Sequence, residues 1–408
     1  MLLSARETAE LLGIKLDTLY AYVSRGLLQS VEVADTRERH YDAVDIERFR
    51  AGRGGRRGAH SQAEALMPVI GSAICLIESH RLYYRGHDAL ELADSASLEA
   101  VAAILWDEDA TQTLSRKRGR GLPARSPVPI PLPRKGGRAG VGAGSVERCQ
   151  IHLAELSAAD LAALDLSRAG VVRTGQRILG ELAACVGGGE PSPRAVHRQL
   201  AEAWGLDDAG ADLVRRCLVL LADHELNASA FVARCVASTG ATPYAVVSAA
   251  LAALSGRRHG GASARVEALC RELAAGDAPM AAMAARLARD EELPGMGQPL
   301  YPGGDPRAVA ILAAAKAAAP ARADWIEEVA RAATRLTGQL PNVDFGLGMA
   351  ATVLGLPPGA ALGIFLIARS VGWIAHAIEQ YESGILIRPR ARYTGRRPTD
   401  RPSGGAAE

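Results

Sequence analysis

The sequence predicts a mainly α-helical protein with a small winged helix-turn-helix at its N-terminal end, on three observations. Hydrophobic residues make up 48% of the 408 residues but aromatics only 4%, with Ala, Leu and Val dominating, as in tightly packed helices rather than a β-sandwich. Apolar residues recur with the helical period through most of the chain beyond residue 150. Strand-like patterns are confined to the N-terminal wing and to 71–85. A chain of this length holds two or three domains and buries a large core.

In order along the chain, Ser4 with Glu7 three residues on forms a capping box that opens a helix over 5–13. Ile14-Lys15 makes a turn, and 16–25 reads as a second helix stopped by Gly26. Residues 31–33, the polar turn Ala34-Asp35-Thr36-Arg37-Glu38 and Arg39-His40-Tyr41 read as a hairpin wing, and 43–51 as a third helix. Thr8-Ala9-Glu10-Leu11-Leu12-Gly13, Thr18-Leu19-Tyr20, Gly26-Leu27-Leu28 and Arg39-His40-Tyr41 make this stretch resemble the compact helix-turn-helix of the MerR and excisionase type. That resemblance implies a DNA partner, with Thr18, Tyr20, Tyr22 and Arg25 facing a groove and Arg37 and Arg39 facing phosphates. Residues 1–60 carry ten Lys/Arg against nine Asp/Glu, a near-neutral balance that equally suits a module used for packing or dimer contacts.

Residues 52–61 form a Gly/Arg linker, and 111–140 is Pro-, Gly- and Arg-rich, with eight Arg/Lys and no acid. Such a stretch cannot bury a core and reads as a loop or disordered excursion, solvated or touching an anionic surface; the tail 396–408 reads as disordered. Between these lie helical patterns at 153–166, 171–185, 194–204, 211–221, 243–254, 264–275, 306–318, 325–336 and 361–379. Six cysteines lack CxxC spacing and read as reduced small hydrophobes, neither a disulfide frame nor a metal site. No run of about 18 apolar residues is free of charge, and the N-terminus has no basic-then-apolar leader, so the expectation is a cytoplasmic protein with no membrane partner.

The most informative stretch is 222–263. It opens with Ala222-Asp223-His224-Glu225-Leu226-Asn227-Ala228-Ser229, continues as a long apolar helical run, and closes with Arg258-His259-Gly260-Gly261-Ala262-Ser263. Two histidines at the ends of one Ala-rich segment suit acid–base work on a small anion. The glycines after His259 allow backbone and ligand to approach closely. Further marks follow in Pro294-Gly295-Met296-Gly297-Gln298, Asp305-Pro306-Arg307, Asn342-Val343-Asp344, Ala368-Arg369-Ser370 and Ile387-Arg388-Pro389, with Leu82-Tyr83-Tyr84-Arg85-Gly86 upstream. In this order, these motifs make 68–395 resemble the citrate synthase family.

The resemblance implies a two-domain helical fold, with a large domain from 62–224 and 336–395 and a small one from 225–335 that closes over an acyl-CoA. It implies a condensation of acetyl-CoA with oxaloacetate, with no bound cofactor beyond the coenzyme A thioester substrate and no metal. Asp344 falls at the base that takes the methyl proton, and His259 at the donor to the thioester oxygen. His224, Arg307, Arg369 and Arg388 fall at the dicarboxylate, where guanidinium groups bind in two-point fashion. Arg388 matches an arginine lent by the partner subunit, which implies a homodimer. Taken singly, each arginine equally suits a surface ion pair, and Asp344, in a turn-like stretch, a helix N-cap.

Two positions depart from the pattern. Gln298 stands where the family places a third catalytic histidine, and an amide donates a hydrogen bond but cannot deliver a proton. Ser263 stands where Asn is usual, with a shorter reach for positioning His259. Two alternatives therefore stand beside a slowed or retuned citrate synthase: a DNA-binding regulator whose degenerate core senses a dicarboxylate or acyl-CoA, and a methylcitrate synthase using propionyl-CoA.

Overall fold

Ser4 and Glu7 cap α1 (Ala5–Leu12) as their spacing predicts: the Ser4 amide donates to Glu7 Oε2 (2.8 Å) and the Glu7 amide to Ser4 Oγ (3.3 Å). The structure, a computed structural model, describes residues 2–12, 14–24, 28, 30–32, 39–42, 46, 70–106, 144–276, 278–389, 391 and 393–395. It divides into two compact units, Met1–Gly71 and Ser72–Glu408.

In the first unit, α1 is followed by α2 (Leu16–Ser24). A strand absent from the sequence reading, β1 (Leu2–Ser4), pairs antiparallel with β3 (Arg39–Asp42), which also pairs with β2 (Val31–Glu32). The wing is thus a three-stranded sheet in the order β1-β3-β2. Ala9, Leu19, Leu28, Tyr41 and Ile46 form its core.

The second unit opens with an antiparallel meander, β4 (Cys75–Glu78), β5 (Arg81–Tyr84) and β6 (His87–Asp88). Ser79 and His80, the two residues between β4 and β5, both take positive φ, as a tight two-residue hairpin turn requires. Helices then follow: α3 (Ala89–Ser95), α4 (Leu98–Trp106), α5 (Ser145–Ala159), α6 (Arg168–Gly187), α7 (Val196–Trp204) and α8 (Asp208–Leu220). The Ala-rich run after His224 is two helices, α9 (Ala228–Ala237) and α10 (Pro243–Leu254), rather than one. Gly240, at φ 76°, breaks it, and Pro243 starts the return helix without costing a hydrogen bond. After α11 (Gly261–Ala274) come α12 (Pro279–Leu287), α13 (Pro306–Ala318), α14 (Ala323–Thr337), α15 (Val343–Val353) and α16 (Ala360–Ser383).

α16 is the centre of this unit. Helices α4, α5, α6, α8, α9, α10, α11 and α15 all contact it. It is long and apolar enough to cross a membrane by length and composition, yet 94% of its most apolar window is buried inside the protein, so its apolarity belongs to the core. Six of the predicted helices start earlier than the sequence reading placed them: α5 begins at Ser145, α6 at Arg168, α8 at Asp208, α11 at Gly261, α14 at Ala323 and α16 at Ala360. For α8 the reason is Asp207, whose side chain accepts from the Gly210 amide and caps the first turn.

Candidate active site

Five segments bring the predicted residues together. His224 lies in the turn between α8 and α9, where Glu225 takes a positive φ and the Asn227 side chain caps α9 by accepting from the Ser229 and Ala230 amides. His259 lies in the turn after α10, so the antiparallel pair α9–α10 returns the second histidine to the end where it left the first. Arg307 is in the first turn of α13, capped by Asp305; Asp344 is in the first turn of α15; Arg369 is in mid-α16. The N-cap of α15 is Asn342, which accepts from the amides of Asp344 and Phe345 and leaves the Asp344 carboxylate free of that duty.

The electrostatics rest on two buried guanidinium groups. Arg307 and Arg369 are each 2% exposed. Arg307 is matched by a bidentate pair with Asp305 (2.9 and 2.7 Å) and lies over the Tyr301 ring. Arg369 has no such partner within salt-bridge distance: its Nε donates to the Leu221 carbonyl (2.8 Å), and its guanidinium sits 4.8 Å from the centre of the Phe365 ring. Its terminal nitrogens make no hydrogen bond within the protein among the described residues. Burial and these guanidinium charges act on the imidazoles. Burial, then Arg307 and Arg369, hold His224 well below the usual histidine range, and burial with Arg369 lowers His259 to about 4. Both are neutral at pH 7, in which form an imidazole can donate or accept.

Each imidazole is held by a hydroxyl. His224 Nε2 meets Tyr301 Oη at 3.1 Å, and His259 Nε2 meets Ser229 Oγ at 2.8 Å. Ser229 accepts from Trp373 Nε1 (3.1 Å) and lies 2.8 Å from Asn227 Oδ1, so two neighbours compete for its single proton. When that proton goes to His259 Nε2, Nδ1 carries the ring hydrogen and is the donor. Burial raises the Asp344 carboxyl above its usual range, and the Ser263 hydroxyl, which donates to Asp344 Oδ1, opposes that rise.

Gln298 lies in a loop fastened beside these groups. Gly297 donates to the Leu340 carbonyl (2.8 Å) and Asn342 Nδ2 to the Gly297 carbonyl (3.0 Å). Gly295 takes φ 86° and sits where a Cβ would meet Val266 and Phe345 at 2.8 and 3.0 Å, so only glycine fits. Gln298 is half-buried. Its Oε1 accepts from the Leu300 amide (3.4 Å), and its NH₂ makes no hydrogen bond within the protein among the described residues. Arg388 is not brought to this cluster: it is exposed, in the segment after α16.

Several functional partners escaped the sequence reading: Tyr301, Ser229, Trp373, Asp305 and, deepest, Asp223. Asp223 is fully buried, its carboxylate is 3.4 Å from His376 Nε2, and its charge acts on Arg369. On the far side of that ring Arg234 Nη1 lies 3.4 Å from Nδ1. Arginine only donates, so Nδ1 accepts and Nε2 carries the hydrogen toward Asp223. Among the described residues no three His, Cys, Asp or Glu are placed to hold a metal ion.

In the first unit, Tyr20 is 47% exposed and Thr18 half-buried, while Tyr22 packs partly against the small core. Arg25, Arg37 and the Arg39 side chain lie outside the described residues, as do 52–61, most of the third helix at 43–51, the loop at 111–140 and the tail 396–408.

Fold and site thus define a mainly helical protein with a small helix-turn-helix and a cluster in which two neutral imidazoles and a carboxyl group meet two buried guanidinium groups. Residues 154–390 match the model of the citrate synthase C-terminal domain, and residues 3–53 that of the MerR family of helix-turn-helix regulatory proteins. The chain belongs to the citrate synthase family. It is 39% identical to the citrate synthase of Haloferax volcanii over 196 residues (47% of this chain, 52% of that one). It is 35% identical to 2-methylcitrate synthase 1 of Corynebacterium glutamicum over 211 residues (48% and 55%). These matches span about half the length of the curated relatives. Among solved structures, citrate synthase from Thermotoga maritima superposes with a TM-score of 0.60 at 27% identity, over 81% of this chain and 94% of that one. The Thermoplasma acidophilum enzyme, at 22% identity and a TM-score of 0.64 over the same shares, is alike in fold.

Proposed function

We propose that the chain condenses acetyl-CoA with oxaloacetate to give citrate and CoA. The observation that carries this reading is the meeting of a carboxylate, two neutral imidazoles and two buried guanidinium groups, one of them without an ion-pair partner. Asp344 takes a methyl proton, and the electron pair moves to the thioester oxygen, where His259 donates a hydrogen bond. The resulting nucleophile attacks the oxaloacetate ketone, and water then cleaves the thioester to release CoA. Arg307, Arg369, His224 and the partner's Arg388 hold the carboxylates. The small domain, 225–335, closes over the acyl-CoA and keeps water out until the bond is made. The enzyme works as a cytoplasmic homodimer.

Gln298 sets the level of activity. Its unengaged amide suits donation to the ketone oxygen, but it delivers no proton to the alkoxide formed there. The test is CoA release with acetyl-CoA and oxaloacetate for the wild type and for Gln298→His. The histidine variant is expected to be faster by about tenfold or more, since one well-placed donor is worth ~10²–10³ and glutamine retains part of that. A wild type at an ordinary citrate synthase rate, or no gain in the variant, overturns this part of the reading.

Two observations favour further readings. Relatives named 2-methylcitrate synthases make propionyl-CoA a rival substrate. The two acyl-CoAs differ by one methylene, worth roughly 10–200-fold in kcat/KM, so the ratio of the two specificity constants decides. The helix-turn-helix match favours a regulator that senses oxaloacetate or acyl-CoA. A mobility shift with the DNA upstream of its own gene, altered by either ligand and retained in Asp344→Asn, supports that reading.

A further inference from the structure

The chain that carries His259 into the site continues directly into α11, and four residues on it presents Ser263. The Ser263 side chain is fully buried, and its backbone amide is already engaged with the Gly260 carbonyl (2.9 Å). The hydroxyl is therefore free for one task, donation to Oδ1 of Asp344. Asp344 Oδ2 makes no hydrogen bond within the protein among the described residues. The two oxygens of this carboxylate are thus unequal before any ligand arrives.

We propose that Ser263 is a positioning residue: it ties down Oδ1 of Asp344 and so selects Oδ2 as the oxygen that takes the proton. The inference rests on the reading of Asp344 as the base. In that step a C–H bond of the acyl methyl breaks, an O–H bond forms at Oδ2, and the electron pair moves to the thioester oxygen facing His259. The Ser263 O–H stays intact throughout. Because one short segment holds both His259 and Ser263, the donor and the base are set in register by the same turn. The Ser263 hydroxyl donates to Asp344 and makes no hydrogen bond to the imidazole among the described residues, which revises the expectation that this side chain serves His259. The hydroxyl also opposes the upward push of burial on the carboxyl.

The test compares CoA release from pH 5 to 9 in the wild type, Ser263→Ala and Asp344→Asn. Ser263→Ala is expected to lower kcat by about tenfold, the worth of a hydrogen bond to a charged group, with KM for both substrates unchanged. It also moves the acid limb of the kcat profile to higher pH, which a merely structural role would not do. An unmoved acid limb and unchanged kcat in Ser263→Ala, beside an inactive Asp344→Asn, overturns the inference while leaving the base assigned. Turnover surviving in Asp344→Asn removes the base assignment itself, and the inference with it. The contact is also read without turnover, by ¹³C NMR of aspartate-labelled protein. The carboxyl signal missing from Asp344→Asn titrates at higher pH in Ser263→Ala, and an unmoved signal overturns the inference whatever the activity.

Discussion

At the scale of single residues, burial decides the chemistry more than identity does. His259 and Asp344 are pushed in opposite directions on the pH scale, and both shifts favour the uncharged form. For His259 the consequence for stability has a definite sign. The unfolded chain takes up a proton near the ordinary value of 6.5, whereas the folded protein refuses it until about 4. The unfolded state therefore binds more protons between those limits, and stability falls as the pH drops through them. His224 acts in the same direction. Urea midpoints of wild type and His259→Gln at pH 7 and pH 4.5 are expected to diverge: the variant loses less on acidification. Equal losses would mean that His259 is solvated and protonated normally. Asp223 lies fully buried 3.4 Å from Nε2 of His376, whose tautomer is fixed by Arg234.

Among the elements, α16 repays the closest reading. Arg369, Gly372, Trp373, His376 and Gln380 recur at spacings of three and four, so a polar seam runs down one face of an otherwise apolar helix. Gly372 lets that seam lie against the His224 turn: a Cβ there would meet Asp223 Oδ1 at 2.3 Å and the Ala222 carbonyl at 2.6 Å. Gly372→Ala is expected to destabilise by about 1–3 kcal/mol and to raise the KM for oxaloacetate, since the same turn carries His224. Gly180→Ala on α6, where a Cβ meets nothing within 4 Å, is the control and is expected to stabilise by about 0.5–1 kcal/mol. Thermal melts of the two variants check both signs. The same helix shows what a sequence reveals. Its start, to within one residue, and Arg369 were legible from periodicity and motif, though it runs on to Ser383 past the predicted end at 379; α10 and α13 were legible to the residue, because proline marks the start of each. The ligands of the seam were not legible, since Asp223, Ser229 and Arg234 reach it from about 150 residues away, and no local pattern encodes such a pairing. Short α3, α4, α12 and α15 escaped for a related reason: nearly all-apolar or two-turn helices show little contrast between faces.

For the whole molecule, the exposed Arg388 marks the step from chain to assembly. If each site borrows this residue from its partner, two dead variants repair one another. Arg388→Ala and Asp344→Asn, unfolded together and refolded as a mixture, are expected to recover about a quarter of the wild-type rate, because half the dimers are mixed and each has one intact site. Recovery of nothing would place Arg388 outside the partner's site. A last consequence comes from the position of α16 in the chain. Every helix that contacts it, from α4 to α15, precedes it in sequence, so a ribosome makes the wall before the pillar. Until that segment emerges, the helices already made have no common centre, and their apolar faces must be shielded by loose collapse or by chaperones. For this protein the hazardous interval of biosynthesis is the wait for α16, and a pause in translation just upstream of residue 360 would lengthen it.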